Sequence, residues 1–255
     1  MENASLVGLS RQIALQRELD VVANNIANLN TTGFKADNVV FHEHLMSAAR
    51  ANNFSGNDQR ISFVQDRATW LDLSQGPVQQ TGNPLDVAIS GNAFLTIQTP
   101  RGERYTRNGA LQINNTGELV TSEGHKVVGE NGPIVFQATD RDVSISTDGT
   151  ISVREGRNTT DSLRGKFKLV NFAQPERLRK DGTSAYAAPA GVTAEAATQT
   201  RVVQGAIEKS NVRSVAEMTR MVEVTRTYTQ IASLLQQQGD MRRTAIEKLA
   251  EVPNA

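Results

Sequence analysis

The chain is 255 residues long, carries 27 Lys and Arg against 27 Asp and Glu, and contains no cysteine. This neutral balance gives no indication of binding to nucleic acid or to an anionic membrane surface, and the lack of cysteine excludes disulfides, thiolate metal sites and cysteine nucleophiles. Hydrophobic residues make up 38% of the chain and aromatic residues 5%, a low apolar content that favours elongated parts with some apolar surface kept for partners.

The N-terminal part of the chain has the apolar spacing of an amphipathic helix, predicted over residues 4–29. Its apolar residues recur at intervals of three and four, which places them on one helical face. A lone helix of this length, about 39 Å, is only marginally stable in water and therefore needs a partner. The residues of this face are Leu15, Leu19, Val22, Ile26 and Leu29, and Leu9 and Ile13 extend it toward the N-terminus with a slight drift.

Four asparagines stand within residues 24–30, near the predicted end of this helix. Asparagine is a poor helix-interior residue, because its amide competes for backbone hydrogen bonds. Asn24, Asn25 and Asn28 have two interpretations: exposed amides at a frayed helix end, or hydrogen bonds across an interface that fix the register of packed helices. We favour the interface, and we expect Gly33 and Phe34, which follow the asparagines, to belong to it as well. Gly33 is also expected to stop the helix without a Cβ penalty.

Residues 34–80 show no single period and are predicted to form an irregular connector. Phe41, Leu45 and Met46 suggest a short helix, and residues 51–58 are rich in turn formers. Apolar residues between 61 and 73 suggest short strands.

From residue 81 to about 204 the apolar period changes to two, which indicates β-strands. Three pairs of alternating strands flank turn sequences at 100–102, 114–117 and 148–149, and these predict hairpins. No helical period interrupts them, so the region is predicted to be antiparallel sheet.

A second helix is predicted over residues 215–250, about 54 Å long. Ser214 and Glu217 form a capping-box pattern ahead of an apolar run. The apolar side chains of this helix are small or flexible, which suits close packing against different neighbours. They are predicted to form one stripe along the helix, and they include Val215, Met218, Met221, Val222, Ile231, Leu235 and Met241.

Three blocks of sequence carry a family resemblance. The run ANNIANLNTTGFK at 23–35 resembles the N-terminal signature of flagellar basal-body rod and hook proteins. The runs TGNPLDVAI at 81–89 and YTRNG at 105–109 are similar to central blocks of that family. The run GAIEKSNV at 205–212, followed by EMTRM, is similar to its C-terminal block. The chain departs from the family at 91–95, where GNAFL replaces a common Gly-x-Gly-Phe-Phe pattern.

The resemblance implies a non-enzymatic structural subunit without a cofactor. Such a subunit polymerises helically with other rod subunits and neighbouring axial proteins into the hollow drive shaft, after passage through the export apparatus with the help of chaperones. It implies a place in the periplasmic rod and export without a cleaved signal peptide. The first residues are most similar to proximal-rod subunits, with a distal-rod or hook-type subunit as the alternative. The block residues expected to be structural are Gly82, Asn83, Leu85, Asp86, Tyr105, Arg107, Gly109, Ser210, Asn211 and Glu217.

The predicted fold is therefore α+β, with the N- and C-terminal helices pairing as a coiled-coil-like core and an antiparallel β-rich central domain. The predicted boundaries are 1–33 with 212–255 for the helical domain, 34–80 for the connector and 81–211 for the β-rich outer domain.

Signals for chemistry are weak. On a helix, His42 and His44 would point away from each other, and His125 is distant in sequence, so no metal site is predicted. Asp86 and Arg107 lack an accompanying nucleophile or base and are predicted to form a structural pair or to stabilise a turn. No segment reaches the roughly 18 apolar residues of a membrane helix, so lipid insertion is not predicted. A β-rich cell-wall hydrolase and a secreted adhesin are the alternatives from other classes, and we favour the structural subunit.

Overall fold

The computed structural model describes residues 2–46, 61–156, 160–197 and 199–250. Within these residues, two long helices, α1 (Glu2–Ala27) and α2 (Ser214–Ala250), flank a region of short strands. The strands of the described residues are, in chain order, β1 (Asp37–Met46), β2 (Ile61–Leu71), β3 (Val78–Gln80), β4 (Val87–Ser90), β5 (Phe94–Thr99), β6 (Gly102–Thr106), β7 (Leu111–Ile113), β8 (Leu119–Thr121), β9 (Lys126–Gly129), β10 (Gly132–Pro133), β11 (Asp140–Ile145), β12 (Thr150–Glu155), β13 (Asp161–Lys166), β14 (Leu169–Phe172), β15 (Arg179–Lys180), β16 (Ala185–Ala187), β17 (Ala194–Ala196), β18 (Arg201–Gln204) and β19 (Ala206–Glu208).

Internal contacts divide the chain into two compact units. The first unit comprises Met1–Ile26, Asp37–Trp70 and Arg213–Ala255, and the second comprises Ala27–Ala36 and Leu71–Val212. The fold is α+β, as the sequence predicts. The predicted domain boundaries, 1–33 with 212–255, 34–80 and 81–211, remain a prediction.

The first unit contains the two helices and the paired strands β1 and β2. The short helix predicted from Phe41, Leu45 and Met46 is wrong, because these residues lie in β1. The strand-forming run Val39–Phe41 accounts for the difference. The short strands predicted after residue 61 are a single strand, β2, up to Leu71. The turn-rich segment 51–58 lies outside the described residues.

Helix α1 ends at Ala27, two residues earlier than predicted. A turn at residues 28–30 replaces the predicted last residues of the helix, as expected for asparagines, which favour turns over helix interiors. After α1, the Thr31 amide donates to the Asn28 carbonyl at 3.2 Å, and the Thr31 hydroxyl donates to the Asn28 side-chain oxygen at 3.0 Å. Helix α2 begins at Ser214, one residue before the predicted start, and is described as far as its predicted end.

Antiparallel sheets make up most of the second unit. Its largest sheet has the order β15-β16-β6-β5-β9-β8-β7, with β10 on β9 and β14 joined to β5 and β17. A second sheet has the order β11-β12-β13. The three predicted hairpins are confirmed as the pairs β5–β6, β7–β8 and β11–β12. Two further pairs, β4–β18 and β3–β19, connect the early strands to the last strands before α2.

The core of the second unit lies among these sheets. An aromatic group forms one part, in which the Phe94 and Phe172 rings are 5.8 Å apart and the Tyr105 and Phe172 rings 4.8 Å, both in edge-to-face geometry. Aliphatic side chains form the larger part, because alternate residues of each strand point to one face. The most deeply buried residues larger than alanine in this part are Val87, Ile89, Leu95, Ile97, Leu119, Val127, Ile134, Ile151, Val153 and Val202, together with the aromatic Phe167.

Candidate assembly site

In the first unit, the two helices contact each other at three described points. The Arg220 Nε donates to Glu18 Oε1 at 2.8 Å, and the Asn25 amide donates to Glu217 Oε2 at 3.4 Å. A Cβ added at Gly8 would lie 2.7 Å from the Leu235 side chain. The contacted residues advance along α1 as they retreat along α2, so the helices contact each other in antiparallel order.

Asn25 is fully buried and binds three groups of the first unit. Its Oδ1 accepts from the Asp37 amide at 3.0 Å, and its Nδ2 donates to the Asp37 carbonyl at 2.9 Å as well as to Glu217. The side chain therefore pairs with the first residue of β1 in the way that a strand backbone would. This two-point contact fixes the position of α1 on β1, whereas Asn24 is exposed.

The apolar residues of α2 do not form one stripe. The side that contacts α1 carries Val224, only 5% exposed, together with Glu217 and Arg220. Val215 and Val222 lie roughly 160° further round the helix, and they are 77% and 69% exposed. The remaining apolar side chains exposed on the two helices are Met218, Met221, Leu234, Met241 and Ile246 on α2, and Leu9 and Ile13 on α1.

A buried charged cluster lies in the second unit. The Lys35 ammonium donates to Glu208 Oε1 at 2.5 Å and to the Ser74 carbonyl at 2.6 Å. The Arg107 Nε forms an ion pair with Glu208 Oε2 at 3.2 Å. None of the three charged side chains is more than 2% exposed. Burial lowers the pKa of Lys35 and of Arg107, and the Glu208 carboxylate opposes that shift for both.

Backbone groups complete the cluster. Arg107 Nη1 donates to the Gly91 and Ala93 carbonyls at 2.7 and 2.6 Å. The Gly76 amide donates to Glu208 Oε1 at 2.9 Å. A Cβ at Gly76 would lie 2.0 Å from the Lys209 carbonyl oxygen, so only glycine allows this approach.

Residues 33–36 lie against the same cluster. The Gly33 amide donates to the Glu208 carbonyl at 2.8 Å. Gly33 does not end α1 as predicted. It has φ +69, and a Cβ there would lie 2.4 Å from the backbone of Arg107, so this position requires glycine because of the close approach. Phe34 is buried, and the Lys180 ammonium lies 3.9 Å from the centre of its ring.

Asn211, which lies shortly before α2, forms hydrogen bonds with the segment that follows α1 and with the residue that follows β2. Its Oδ1 accepts from the Ala36 amide at 2.8 Å, and its Nδ2 donates to the Asp72 carbonyl at 2.7 Å. The neighbouring Ser210 is buried. The last residues before α2 therefore lie beside the residues that follow α1.

The predicted pairing of Asp86 with Arg107 is wrong, and the alternative of a turn-stabilising Asp86 is confirmed. Asp86 accepts from the Thr81 hydroxyl at 2.7 Å and from the Asn83 amide at 3.0 Å. Asn83 Oδ1 accepts from the Leu85 amide at 3.2 Å. These short-range bonds close the TGNPLD loop, whereas the carboxylate partner of Arg107 is Glu208, 101 positions further along the chain.

The described residues contain no group of three or more His, Asp or Glu side chains placed to hold a metal ion. The segment with His42 and His44 is strand β1, so the helical argument used for these residues does not apply, and their side chains lie outside the description. None of the described helices is long and apolar enough to cross a membrane.

Three family models match this chain at its beginning, middle and end. "Flagella basal body rod protein" matches residues 6–35, "Flagellar hook protein FlgE/F/G D1 domain" residues 88–153, and "Flagellar basal body rod FlgEFG protein C-terminal" residues 203–248. The flagellar basal-body rod protein FlgF of Caulobacter vibrioides is 35% identical over 254 residues, covering 99% of this chain and 100% of the relative. The chain belongs to the flagellar basal-body rod protein family.

Other rod proteins agree with this assignment. FlgF of Mesorhizobium japonicum is 35% identical and covers 98% of both chains. FlgG of Bacillus subtilis is 34% identical and covers 87% of this chain and 89% of the relative. The chain is thus a FlgF-like structural rod protein and not an enzyme, as the sequence predicts.

The residues predicted for assembly in this rod protein fall into three groups by exposure. Those buried are Val22, Asn25, Gly33 and Phe34. Those half-buried are Leu15, Leu19, Ile26, Asn28, Leu29, Ile231 and Leu235. Those exposed are Leu9, Ile13, Asn24, Val215, Met218, Met221, Val222 and Met241.

The block residues of this rod protein lie mostly in the second unit. Tyr105 belongs to the aromatic core, and the Gly109 carbonyl accepts from the Val87 amide at 2.9 Å. Gly82 has φ +74 in the TGNPLD loop. Glu217 belongs to the first unit, on the side of α2 that contacts α1.

Sequence reasoning missed Lys35, Glu208 and Lys180 as residues of buried contacts. Lys35 and Glu208 both lie inside blocks that resemble the family, and that position is the signal that could have drawn attention to them. Lys180 lies outside every block, and no local pattern marks it.

Proposed function

We propose that this chain is a proximal-rod subunit that assembles helically with other rod subunits and neighbouring axial proteins through the exposed apolar faces of α1 and α2. The observation that carries the proposal is the side of α2 with Val215, Met218 and Val222, whose residues are 77%, 52% and 69% exposed. Exposed apolar side chains grouped on one side of a helix are typical of a surface that another protein covers.

The magnitudes favour assembly through many modest contacts. Full burial of a Val or Met side chain contributes about 1.5–3 kcal/mol, so several such residues per subunit supply a large part of the association free energy. Zero net charge reduces repulsion between copies. A contact between two different faces of like subunits produces a filament rather than a ring when its rotation does not close, and we propose a contact of this kind.

The helix contacts support a coiled-coil-like pairing of α1 and α2. Residues covered on α1 include Ala14, Glu18, Val22 and Asn25, at spacings of four, four and three. The residues covered on α2 include Glu217, Arg220, Val224, Tyr228, Ile231 and Leu235, at spacings of three, four, four, three and four. These spacings average about 3.7 on α1 and about 3.6 on α2, close to the period of an α-helix, so one face of each helix is covered along its length. Asn25 would then fix the register of the pairing.

The proposal has further parts that derive from the family resemblance. The helical parts 1–33 and 212–255 form the axial core of the rod, residues 34–80 connect it, and residues 81–211 form an outer layer. The subunit lies in the periplasm, which it reaches through the export apparatus with the help of chaperones. The similarity to FlgG over 87% of this chain supports a distal-rod position as the second candidate.

The test is a charge placed on the exposed side of α2. Val222→Glu should leave the isolated chain folded and abolish its incorporation into rods, because each contact would bury an unpaired carboxylate. Gln98→Glu is the matched control, since it adds the same charge at an exposed polar position of strand β5, outside the proposed helical interface. Incorporation is measured by recovery of the subunit in purified basal bodies and by motility.

Normal incorporation of Val222→Glu would contradict the proposed interface. Labelling the wild-type subunit within those basal bodies distinguishes the two candidates, since a label at the distal end of the rod would favour the second.

A further inference from the structure

Two distant segments of the chain meet at one carboxylate inside the second unit. Residues 33–36, which follow α1, contribute Lys35, and residues 206–209, which precede α2, contribute Glu208. The two charged groups are 2.5 Å apart and both side chains are 0% exposed. Each segment also holds the other through its backbone, because the Gly33 amide donates to the Glu208 carbonyl at 2.8 Å.

The body of the second unit supplies the other half of the cluster. Arg107 lies 3.2 Å from Glu208, and Gly76 donates its amide to the same carboxylate at 2.9 Å. With all three groups ionised, the cluster holds two cations and one anion. Glu208 is therefore the only carboxylate in contact with two buried cations among the described residues, and neutralising it leaves both without a charged partner.

We propose that Glu208 couples the docking of the two segments, so that residues 33–36 and 206–209 join the second unit together or not at all. If residues 206–209 were absent, docking of residues 33–36 would bury Lys35 without its carboxylate. Undocking of the first segment alone leaves Glu208 with one of its two cations and with the Gly33 and Lys35 contacts broken. The first arrangement carries an uncompensated buried charge, which is strongly unfavourable. The second leaves the buried carbonyl and carboxylate of Glu208 without the donors that Gly33 and Lys35 supply, and buried acceptors without a donor are also costly. Both half-docked arrangements are therefore rarely populated.

The charge count predicts unequal effects at the two ends of the pair. Glu208→Gln retains an acceptor for the Gly76 amide but leaves two buried cations. Lys35→Met retains much of the side-chain volume and leaves Glu208 paired with Arg107, which is a balanced pair. The Glu208 variant should therefore be affected far more than the Lys35 variant, although both remove the same ion pair.

The experiment measures amide hydrogen exchange in the full-length chain at native pH. In the wild type, Gly33 and Ala36 in the first segment and Lys209 in the second should report the same opening equilibrium. In Glu208→Gln the opening of both segments should rise by the same factor, on the order of a hundredfold to a thousandfold. In Lys35→Met the rise should be about tenfold.

The matched control is the exposed pair of Lys166 and Glu130 in the same unit, whose charged atoms are 3.2 Å apart. Glu130→Gln should change the opening by less than about fivefold. Opening of the two segments by different factors in Glu208→Gln would overturn the proposal, as would an effect no larger than that of the control.

A pH series separates this role from general packing. The groups that act on Lys35 are Glu208, Arg107 and Asp72, and Tyr186 acts on Arg107. The folded pKa of Lys35 lies below its ordinary value of 10.5, so between the two values the unfolded chain binds more protons and stability rises with pH. Loss of the Glu208 carboxylate removes the two largest causes that raise the pKa of Lys35. The pH at which stability begins to rise is therefore lower in that variant.

The excess opening of Glu208→Gln should therefore shrink as the pH rises toward 10.5, since Lys35 then docks without its proton. The double variant Lys35→Met with Glu208→Gln should open less than Glu208→Gln at neutral pH and show no such recovery. If Glu208→Gln fails to fold, the double variant tests the proposal in its place, because removal of one excess buried cation should restore folding. A double variant that is no better folded, or a pH series without recovery, would contradict the proposal.

Discussion

The two units of the chain treat their apolar side chains in opposite ways. In the second unit most large apolar residues are enclosed, and Ile151, Val153 and Leu95 are completely buried, although Leu163 is 67% exposed. In the first unit α2 exposes Val215, Val222 and Met241 by 60% or more. One unit therefore encloses a large core, while the long helix of the other retains apolar surface that an assembly partner can cover. The contrast indicates that stability and assembly are carried by different parts of the same chain.

The largest expected effect concerns the enclosed core. Ile151→Ala should lower the free energy of unfolding by about 2–5 kcal/mol, because it leaves a cavity at a side chain that is 0% exposed. Met218→Ala removes a side chain of similar size that is 52% exposed and should change the unfolding free energy by less than about 0.5 kcal/mol. Urea titrations followed by circular dichroism measure both. Equal losses of unfolding free energy in the two variants would contradict the difference between the units.

A smaller effect is expected at Asn25, whose side chain holds α1 on β1 in the first unit. Asn25→Ala should cost about 1–3 kcal/mol, because the backbone N–H and C=O of Asp37 lose their buried partner. Gln16→Ala on the same helix is exposed and serves as the control. Thermal unfolding of the helical circular dichroism signal checks this prediction. If the two variants melted together, Asn25 would not hold α1 on β1.

Local patterns in the sequence predict much of the fold. The two helices follow from three-and-four spacing, and the three hairpins follow from alternating residues around turns. These features depend on neighbours within a few positions. Strand β1 was misread because Phe41, Leu45 and Met46 also fit a helical period, while the preceding β-branched residues were not weighed against it.

The charged cluster depends on contacts that a local pattern does not contain. Lys35 and Glu208 are 173 positions apart, and only the folded chain brings them together. The sequence likewise predicts one apolar stripe on α2 where the structure has two sides, because the sequence of one helix does not indicate which side its partner covers. The interior position of Asn25 was consistent with the predicted interface, but its partner Asp37 lies in the strand that was misread.

The central claim, that the exposed side of α2 is covered on assembly, can be tested directly because the chain has no cysteine of its own. A thiol introduced by Val222→Cys should react rapidly with a maleimide in the free chain and slowly in purified basal bodies. Val22→Cys is the control, since Val22 is 1% exposed and should be protected in both states. The account predicts protection of position 222 only after assembly, and equal reactivity in the free and assembled subunits would contradict it.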